Sequence, residues 1–481
     1  MDVGPGTARR WSVLAVCCLS LFVVGLDTTA VNVALPAIGG GLDVGTRGLQ
    51  WTVGAYTLAL AGLLITSGAV ADRIGRRRVF RTGLAVFAAA SAVCALAPDA
   101  GVLIAARAVQ GVGGSMLSPV ALAIVVDVMT EPRERARAIG VWAAVFGLSM
   151  AVGPLAGGAL VSAFGWRAVF WINLPVVAVA LVLTALFVPE SRARLPRRLD
   201  VPGQLLLTVL VASSVAVLIE GPHLGWGAPP VLAGHVLVLL AAAAFGRVES
   251  RRSEPLVDLR LFRRPPFAAA VVAAVALFAA LGVTLLLTTL YLQHVRGLSP
   301  MAAGLVTLPM ALAATAAAPA SGALVGRSGP RPPLLLAGAF LAAGRLCLVG
   351  IGDRTDLRLL AAASLLVGTG FGFANAPITH AAVSALPRDR AGVAGGITST
   401  ARQLGSALGI AVGGGFVADA PVERLARASR PGWMLVAGCG LVVVLAALSA
   451  TPAAGARRKA AGPGRAGPAE DTPSESPRRF A

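Results

Sequence analysis

The chain has 481 residues, of which 56% are hydrophobic and 13% are charged, and its mean hydropathy is +0.80. A soluble domain carries about 25% charged residues, so this composition excludes an ordinary globular enzyme. The formal net charge is +19, yet Lys459 is the single lysine among 41 basic residues. A P-loop needs a lysine on the nucleotide phosphates, and the sequence therefore excludes an ATPase of that class.

The apolar residues form long runs, and a membrane-spanning helix needs about 20 of them. We predict fourteen such spans and hence an all-α membrane protein. In chain order they begin near Trp11, Leu49, Val79, Gly101, Ala138, Arg167, Val201, Pro230, Phe267, Ser299, Pro333, Leu357, Ala391 and Gly432.

The distribution of basic residues predicts the orientation, because cytoplasmic loops of membrane proteins are enriched in Arg and Lys. Of the 41 cations, 30 lie on the side of the N-terminus, 8 on the opposite side, and 3 within the spans. We therefore expect a multi-pass protein of the cell (plasma) membrane with cytoplasmic N- and C-termini. This distribution accounts for the positive net charge, so we expect no nucleic-acid partner.

The remaining chemical signals point away from catalysis. The cysteines lie in apolar runs and are predicted to be buried thiols; they are Cys17, Cys18, Cys94, Cys347 and Cys439. The sequence has no C-x-x-C, no H-E-x-x-H, and only four scattered histidines. We expect no metal site, no cofactor and no enzymatic activity, because no nucleophile lies beside a base in a recognisable pattern.

The chain repeats itself once. The stretch from Gly68 to Arg77 is matched by 322–331 at an offset of 254 residues, and 132–136 is matched by 387–391 at an offset of 255. A common offset is the signature of a transporter built from two halves. It predicts two six-helix bundles with two inserted helices between them. The predicted divisions are a cytoplasmic N-terminus (1–10), a first bundle (11–190), the inserted helices with their linkers (191–265), a second bundle (266–451) and a disordered cytoplasmic tail (452–481).

One acidic residue, Asp27, lies well inside a predicted span. An ionisable group at membrane depth is a functional-site hypothesis by default. Counting helical rise, Asp27 is about 14 Å from the outer end of the first span and Arg107 is about 9 Å inside the fourth. We expect the two to pair, Asp27 to take up and release a driving proton, and Arg107 to adjust its proton affinity; a purely structural carboxylate is the alternative.

Several motifs follow one another along the predicted spans. They are the stretch from Leu26 to Pro36 in the first span, the loop from Gly68 to Arg77, and the stretch from Arg107 to Gly114 in the fourth span. Further elements are Gly147 and 153–158 in the fifth span, Gly165-Trp166-Arg167 with 172–175, and Arg402-Gln403-Leu404-Gly405 in the thirteenth. In this order the motifs resemble the major facilitator superfamily, in its fourteen-helix drug:proton antiporter branch (EmrB/QacA-type multidrug exporters). The resemblance covers the chain from Trp11 to about Ala450.

The resemblance implies two further sites. A gating motif between the halves would contain Gly68, Asp72, Arg73, Gly75 and Arg76, although retention of basic residues in the cytoplasm accounts for part of that cluster. An antiporter motif would contain Gly147, Gly153, Pro154, Gly157 and Gly158, although small residues at this spacing also serve close helix packing.

A cavity between the halves is expected to hold the substrate, with candidate residues Asn32, Tyr56, Gln110, Trp142, Phe371, Asn375, Arg402 and Gln403. Arg345 and Arg402 have no acidic residue within the last six spans. Backbone carbonyls, an anionic substrate, or Asp27 across the cavity are their alternative partners.

The expected function is proton-coupled antiport, by alternating access, that exports small lipophilic or amphipathic compounds such as drugs or antibiotics. The proton gradient is the expected energy source, and the expected partners are a small-molecule substrate, protons and the lipid bilayer, with the protein as a monomer. A proton-linked uptake transporter of the same fold is the first alternative. A non-transporting membrane receptor is the second.

Overall fold

The computed structural model describes residues 7–193, 199–252, 254–384, 391–418 and 420–449. Outside these ranges lie the predicted tail at 452–481, which includes Lys459, and most of the stretch 387–391, which repeats 132–136. Within them the regular secondary structure is entirely helical, with no strand.

The apolar runs form long helices because Gly, Pro and charged residues lie mainly at the ends of the runs and separate one helix from the next. The first six helices are α1 (Thr7–Leu42), α2 (Thr46–Ile74), α3 (Arg76–Leu96), α4 (Ala100–Ser115 and Ser118–Val128), α5 (Pro132–Phe164) and α6 (Ala168–Trp171 and Asn173–Phe187). The breaks within α4 and α6 lie inside single predicted spans.

The next two helices are α7 (Val201–Leu224) and α8 (Pro229–Arg251), followed by a 3-10 turn at Leu259–Arg263. The last six are α9 (Pro265–Leu290, continued by a π turn at Tyr291–Val295), α10 (Pro300–Ser328), α11 (Arg331–Leu346), α12 (Leu357–Ser384), α13 (Ala391–Gly415) and α14 (Val422–Ala428 and Arg430–Ser449).

Twelve of these fourteen helices are long and apolar enough to cross a membrane, so the predicted count of fourteen spans is not confirmed. The two that fall short are α11, which has 16 residues, and α13, which has 25. The first is shorter than the roughly 20 residues of a typical spanning helix. The second is rich in Gly, Ser and Thr and carries Arg402, which lowers its hydropathy.

The helices pack as two sets joined along two seams. In the first set α1 packs on α5, and α4 packs on α2 and α3; in the second, α9 packs on α13 and α14, and α12 on α10 and α11. The seams between the sets are α2 against α13 and α5 against α10. The inserted helix α7 packs on α8 and also lies against both α2 and α13.

We call the face where α1 begins the terminal face and the opposite one the distal face. Arg10 at the start of α1 forms an ion pair of 3.1 Å with Glu134 at the start of α5, which fixes both helix ends at the terminal face. Four cysteines are buried as predicted, whereas Cys347 is exposed, because it follows the last residue of α11 instead of lying within a packed helix.

Candidate functional site

The structure brings Asp27 of α1 and Arg107 of α4 together in the interior of the first set. Arg107 Nη1 lies 2.6 Å from Asp27 Oδ2, and the side chains of Arg107 and Asp27 are 1% and 0% exposed, respectively. The residues lie far apart in sequence, but the depths estimated from helical rise are similar. A carboxylate and a guanidinium buried this completely are stable only as partners.

The second carboxylate oxygen of Asp27 is bonded by two amides. Asp27 Oδ1 accepts hydrogen bonds from Gln110 Nε2 at 3.0 Å and from Asn173 Nδ2 at 2.8 Å. Gln110 also donates to Ser91 Oγ at 2.8 Å. All four side chains are fully buried. The carboxylate therefore links α1 directly to α4 and α6, and to α3 through Gln110.

The guanidinium of Arg107 also has several other partners. Nη1 also donates to Gln110 Oε1 at 2.7 Å, and Nε donates to the carbonyl of Thr52 at 3.2 Å. Its Cζ lies 4.2 Å from the centre of the Tyr56 ring, within cation–π range. The packing of four helices therefore depends on one buried ion pair and the hydrogen bonds around it.

One side of the glycine motif in α5 lies against α1. A Cβ at Gly157 would stand 2.7 Å from Ala30 Cα, and one at Gly153 would overlap the Thr29 hydroxyl. Only glycine permits this approach, because real Cβ atoms do not come within about 3 Å of such neighbours. The motif therefore brings α5 close to the helix that carries Asp27.

The other side of the motif forms the seam with α10. A Cβ at Gly158 would stand 2.6 Å from the carbonyl oxygen of Pro300, and one at Gly304 would stand 2.5 Å from that of Pro154. Gly147 also faces α10, since a Cβ there would stand 3.3 Å from the Thr315 hydroxyl. The five predicted motif residues thus lie at two helix contacts, one within the first set and one between the sets.

The residues of the predicted gating motif make their polar contacts within the first set. Arg76 donates from Nε and Nη2 to Asp72 Oδ1, both at 3.0 Å, and its Nη1 lies 3.6 Å from Asp127 Oδ2 at the end of α4. Arg73 is exposed, and a Cβ at Gly68 would stand 4.0 Å from the Pro119 side chain of α4. In this conformation the described side chains of this motif form no hydrogen bond or ion pair with the second set.

Gly75 joins α2 to α3 with a φ of +123°, a value that L side chains rarely adopt. A Cβ there would also stand 2.5 Å from Glu190 Oε1, which accepts a hydrogen bond from the Arg77 amide at 3.1 Å.

We expect Gly75→Ala to destabilise the protein by about 1–3 kcal/mol. Gly225→Ala is the matched control, because its φ is +88° and no described atom lies within 4 Å. Thermal unfolding in detergent should show a larger loss for Gly75→Ala; equal losses would mean that Glu190 contributes nothing.

The distal face is closed by hydrogen bonds between the two sets. Gln50 Nε2 at the start of α2 donates to the carbonyls of Ile410 at 3.2 Å and Ala411 at 2.7 Å. Gln293 Nε2 at the end of α9 donates to the carbonyl of Val33 at 2.8 Å. Toward the terminal face, by contrast, glycines 140, 322 and 326 on α5 and α10 face open space.

A small cavity of about 20 Å³ lies between the sets. Its wall consists of apolar and hydroxyl side chains with one cation. The lining residues are Thr29, Asn32, Val33, Pro154, Thr284, Leu285, Thr288, Thr289, Leu292, Ala303, Thr307, Met310, Arg345 and Ser364.

Of the eight predicted cavity residues, Asn32 lines this cavity. Tyr56 and Gln110 instead belong to the buried network around Arg107. Both side chains face the interior of the first set instead of the cavity.

The other predicted cavity residues are also outside this wall. Phe371 is buried in a hydrophobic cluster that contains residues of both sets, and Trp142 packs against a cluster within the first set. Asn375 and Gln403 are half-buried, and Arg402 donates from Nη2 to Thr379 Oγ1 at 2.8 Å.

Sequence reasoning did not identify Ser91, Asn173 and Gln50 as site residues. Asn173 was noted as part of a motif, but not as a partner of Asp27. Each is a polar side chain in an apolar run, which is a usable signal, because buried polar groups need hydrogen-bond partners. Serines and threonines inside membrane helices are too common for that signal to be selective, since many bond back to their own helix, as Ser91 does to the carbonyl of Phe87.

Comparison with known proteins gives consistent matches. The family model described as "Major Facilitator Superfamily" matches residues 17–410. The chain is 40% identical over 400 residues to "Multidrug resistance protein Stp" of Mycobacterium tuberculosis, covering 83% of this chain and 74% of that protein. It is also 40% identical over 394 residues to "Methylenomycin A resistance protein" of Streptomyces coelicolor, covering 81% of this chain and 82% of that protein. Among solved structures, a bacterial homologue of the human lysosomal transporter Spinster aligns with a TM-score of 0.64 at 19% identity, covering 93% of this chain and 97% of the other.

Proposed function

The chain belongs to the major facilitator superfamily, and from this we propose that it is a proton-coupled antiporter that exports small lipophilic or amphipathic compounds. It is a multi-pass membrane transporter and not an enzyme, and its relatives are named for multidrug and antibiotic resistance. Proton coupling, antiport and the substrate class of this chain are the proposed steps beyond that family assignment.

The observation that carries the proposal is the buried pair of Asp27 and Arg107. Asp27 is 0% exposed, and Thr29 and Asn32, which are on the same helix, line the cavity between the sets. A change in the protonation of Asp27 can therefore alter the cavity wall directly, because Asp27 and these lining residues lie on the same helix. Protonation would weaken the bond to Arg107 and allow α1 to shift against α4, whereas deprotonation would restore it.

The composition supports a proton gradient as the energy source. The single lysine, Lys459, lies in the polar C-terminal segment, so the chain has no Walker A motif with which to use ATP. A buried carboxylate that alternates between a neutral and a paired form can couple proton movement to a conformational change.

Alternating access would use the two seams between the sets. We propose that the closed distal face opens when α5 separates from α10 at Gly158 and Pro300, and α2 from α13 at Gln50. The loop motif with Asp72 and Arg76 would then meet the second set at the terminal face. In this scheme the first set (11–190) and second set (266–451) move as two bundles, and the inserted helices α7 and α8 remain against the α2–α13 seam.

We further propose that α11 and α13 also cross the membrane, which makes fourteen spans. Both helices pack among helices that are long enough to span: α11 lies on α12 and α14, and α13 lies on α9 and α2. With the basic terminal face in the cytoplasm, both termini are cytoplasmic and the distal face is extracytoplasmic. The protein would then act in the plasma membrane as a monomer, with its cavity formed by a single chain.

The function is tested in inverted membrane vesicles with an acidic lumen and a fluorescent reporter of the pH gradient. Methylenomycin A and lipophilic cations, anions and neutral compounds of similar size are added outside. An exporter moves compound into the lumen and protons out, so a substrate should collapse the gradient, and only in vesicles that contain the protein. A proton-linked uptake transporter would instead move protons inward with the compound. No response to any compound, with inserted and intact protein, would refute the proposal.

A further inference from the structure

Arg345 is a buried cation that the transport scheme above does not use. It lies near the end of α11, is 1% exposed, and lines the cavity between the two sets. Its Nε and Nη2 have no hydrogen-bond partner among the described residues. Its one specific contact is the Trp433 ring, whose centre lies 4.8 Å from the guanidinium carbon.

The acidic residues that could neutralise Arg345 are absent from its surroundings. The described cavity wall contains no Asp or Glu. Asp27 is held by Arg107 at 2.6 Å in the interior of the first set, which removes it as a partner across the cavity. An unpaired buried charge is costly, so a guanidinium in this position has a strong tendency to bind an anion that enters the cavity.

Unused polar groups lie around the same cavity. The hydroxyl oxygens of Thr284 and Thr288 on α9 are buried and have no partner among the described residues, and neither has Asn32 Oδ1 on α1. Thr289, Thr307 and Ser364 add further hydroxyls to the wall. A hydroxyl can donate to an anionic oxygen, and a guanidinium fork fits a carboxylate with two parallel hydrogen bonds.

The remainder of the wall is apolar and includes Val33, Leu285, Leu292 and Met310. The cavity therefore combines a single cationic end with a lining suited to hydrocarbon. We propose that Arg345 and the α9 threonines form an oxyanion-binding subsite, so that the transported compounds are amphipathic and carry a carboxylate or a similar acidic group. This inference rests on the proposed function, because it takes this small cavity as part of a transport site that widens when the two sets separate.

The test uses a matched pair of probes, 1-naphthaleneacetate and 1-naphthaleneacetamide, which share a ring system and differ by one charge. Binding to the full chain in nanodiscs is measured by calorimetry at pH 8, without a pH gradient. We expect the carboxylate to bind at least about 10-fold more tightly than the amide, as for a charge-assisted hydrogen bond in a buried site. Equal affinities, or no binding of either probe, would overturn the inference.

Three variants identify the groups that produce this preference. Arg345→Gln should bring the two affinities together, and Arg345→Lys should retain part of the preference, because a lysine keeps the charge but not the fork. Thr288→Val, which leaves the cation in place, should weaken carboxylate binding by about 2- to 10-fold. It also keeps the test decisive where an Arg345 variant does not fold. Arg430→Gln is the control, since Arg430 donates to the Ile351 carbonyl outside the cavity.

The outcomes separate this inference from the proposed function. A carboxylate preference that survives in Arg345→Gln overturns the subsite. Proton-driven export of neutral compounds, with no carboxylate preference in the wild type, overturns the subsite and leaves the transport function standing. A preference that depends on Arg345, in a protein for which no compound collapses a pH gradient, supports the subsite and refutes proton-coupled export.

Discussion

Asp27→Asn is expected to abolish proton-driven export, with substrate-induced collapse of the pH gradient reduced to the level of vesicles without the protein. Asparagine preserves the size of the side chain but cannot take up and release the coupling proton. It also leaves Arg107 as a fully buried cation without its counter-ion. Removing one partner of a buried ion pair costs about 3–5 kcal/mol, so a lower unfolding temperature should accompany the loss of transport.

A double variant separates stability from coupling. In Asp27→Asn/Arg107→Gln both charges are removed together, and the neutral pair should recover most of the stability that the single variant loses. It should still fail to export against a gradient, because no titratable group remains at this position. Substrate counterflow without a pH gradient measures transport that needs no proton, and it should persist in the double variant. Export driven by a pH gradient in the double variant would show that the coupling proton binds elsewhere.

Gly158→Val is expected to prevent the distal face from closing. The new Cβ would stand 2.6 Å from the carbonyl oxygen of Pro300 and 2.9 Å from the Met301 Cα, and both neighbours are backbone atoms that cannot rotate away. Overpacking of this kind costs about 1–3 kcal/mol. A cost of that size shifts a two-state equilibrium by about 5- to 150-fold toward the conformation in which α5 and α10 are apart. Export should fall sharply, because the cycle needs both conformations.

The shift can be measured as a distance between spin labels on the distal loops, at Asp43→Cys and Ser299→Cys. The exposed Cys347 is first replaced by serine, and the four other cysteines are buried. The distance distribution should move to longer values in Gly158→Val. Gly40→Val is the matched control, since Gly40 is exposed near the end of α1 and has no described atom within 4 Å of its Cβ position. An unchanged distribution in Gly158→Val would contradict the assignment of this seam as a gate.

The sequence predicted the helices well because each one is a local property of the chain. Apolar runs, prolines at helix starts and glycines at helix ends set the boundaries, and each predicted span corresponds to a helix in the structure. Hydropathy does not determine the number of membrane crossings, because α11 and α13 are helices whose length or polarity falls short of a spanning segment. Their place depends on packing against neighbours, which hydropathy does not measure.

The pairing of Asp27 with Arg107 could be anticipated because depth in a membrane can be counted along a helix, and because a charge in an apolar run needs a partner. The remaining members of the network could not be anticipated. Whether Tyr56 and Gln110 face the cavity or the interior of the first set depends on the rotation of α2 and α4 about their axes. A continuously apolar helix carries almost no information on that rotation, since it has no polar face.

The sequence by itself determined the class of protein, the helical fold, the family, and the buried carboxylate, because composition, hydrophobic run length and motif order are carried by the chain directly. Tertiary structure alone decided that the glycines of α5 touch both α1 and α10, that Gln50 and Gln293 close the distal face, and that Arg345 lines a cavity without an acidic partner. These features depend on which side chains face one another across helices distant in sequence. That arrangement follows from packing three-dimensional surfaces together, and no local pattern specifies it.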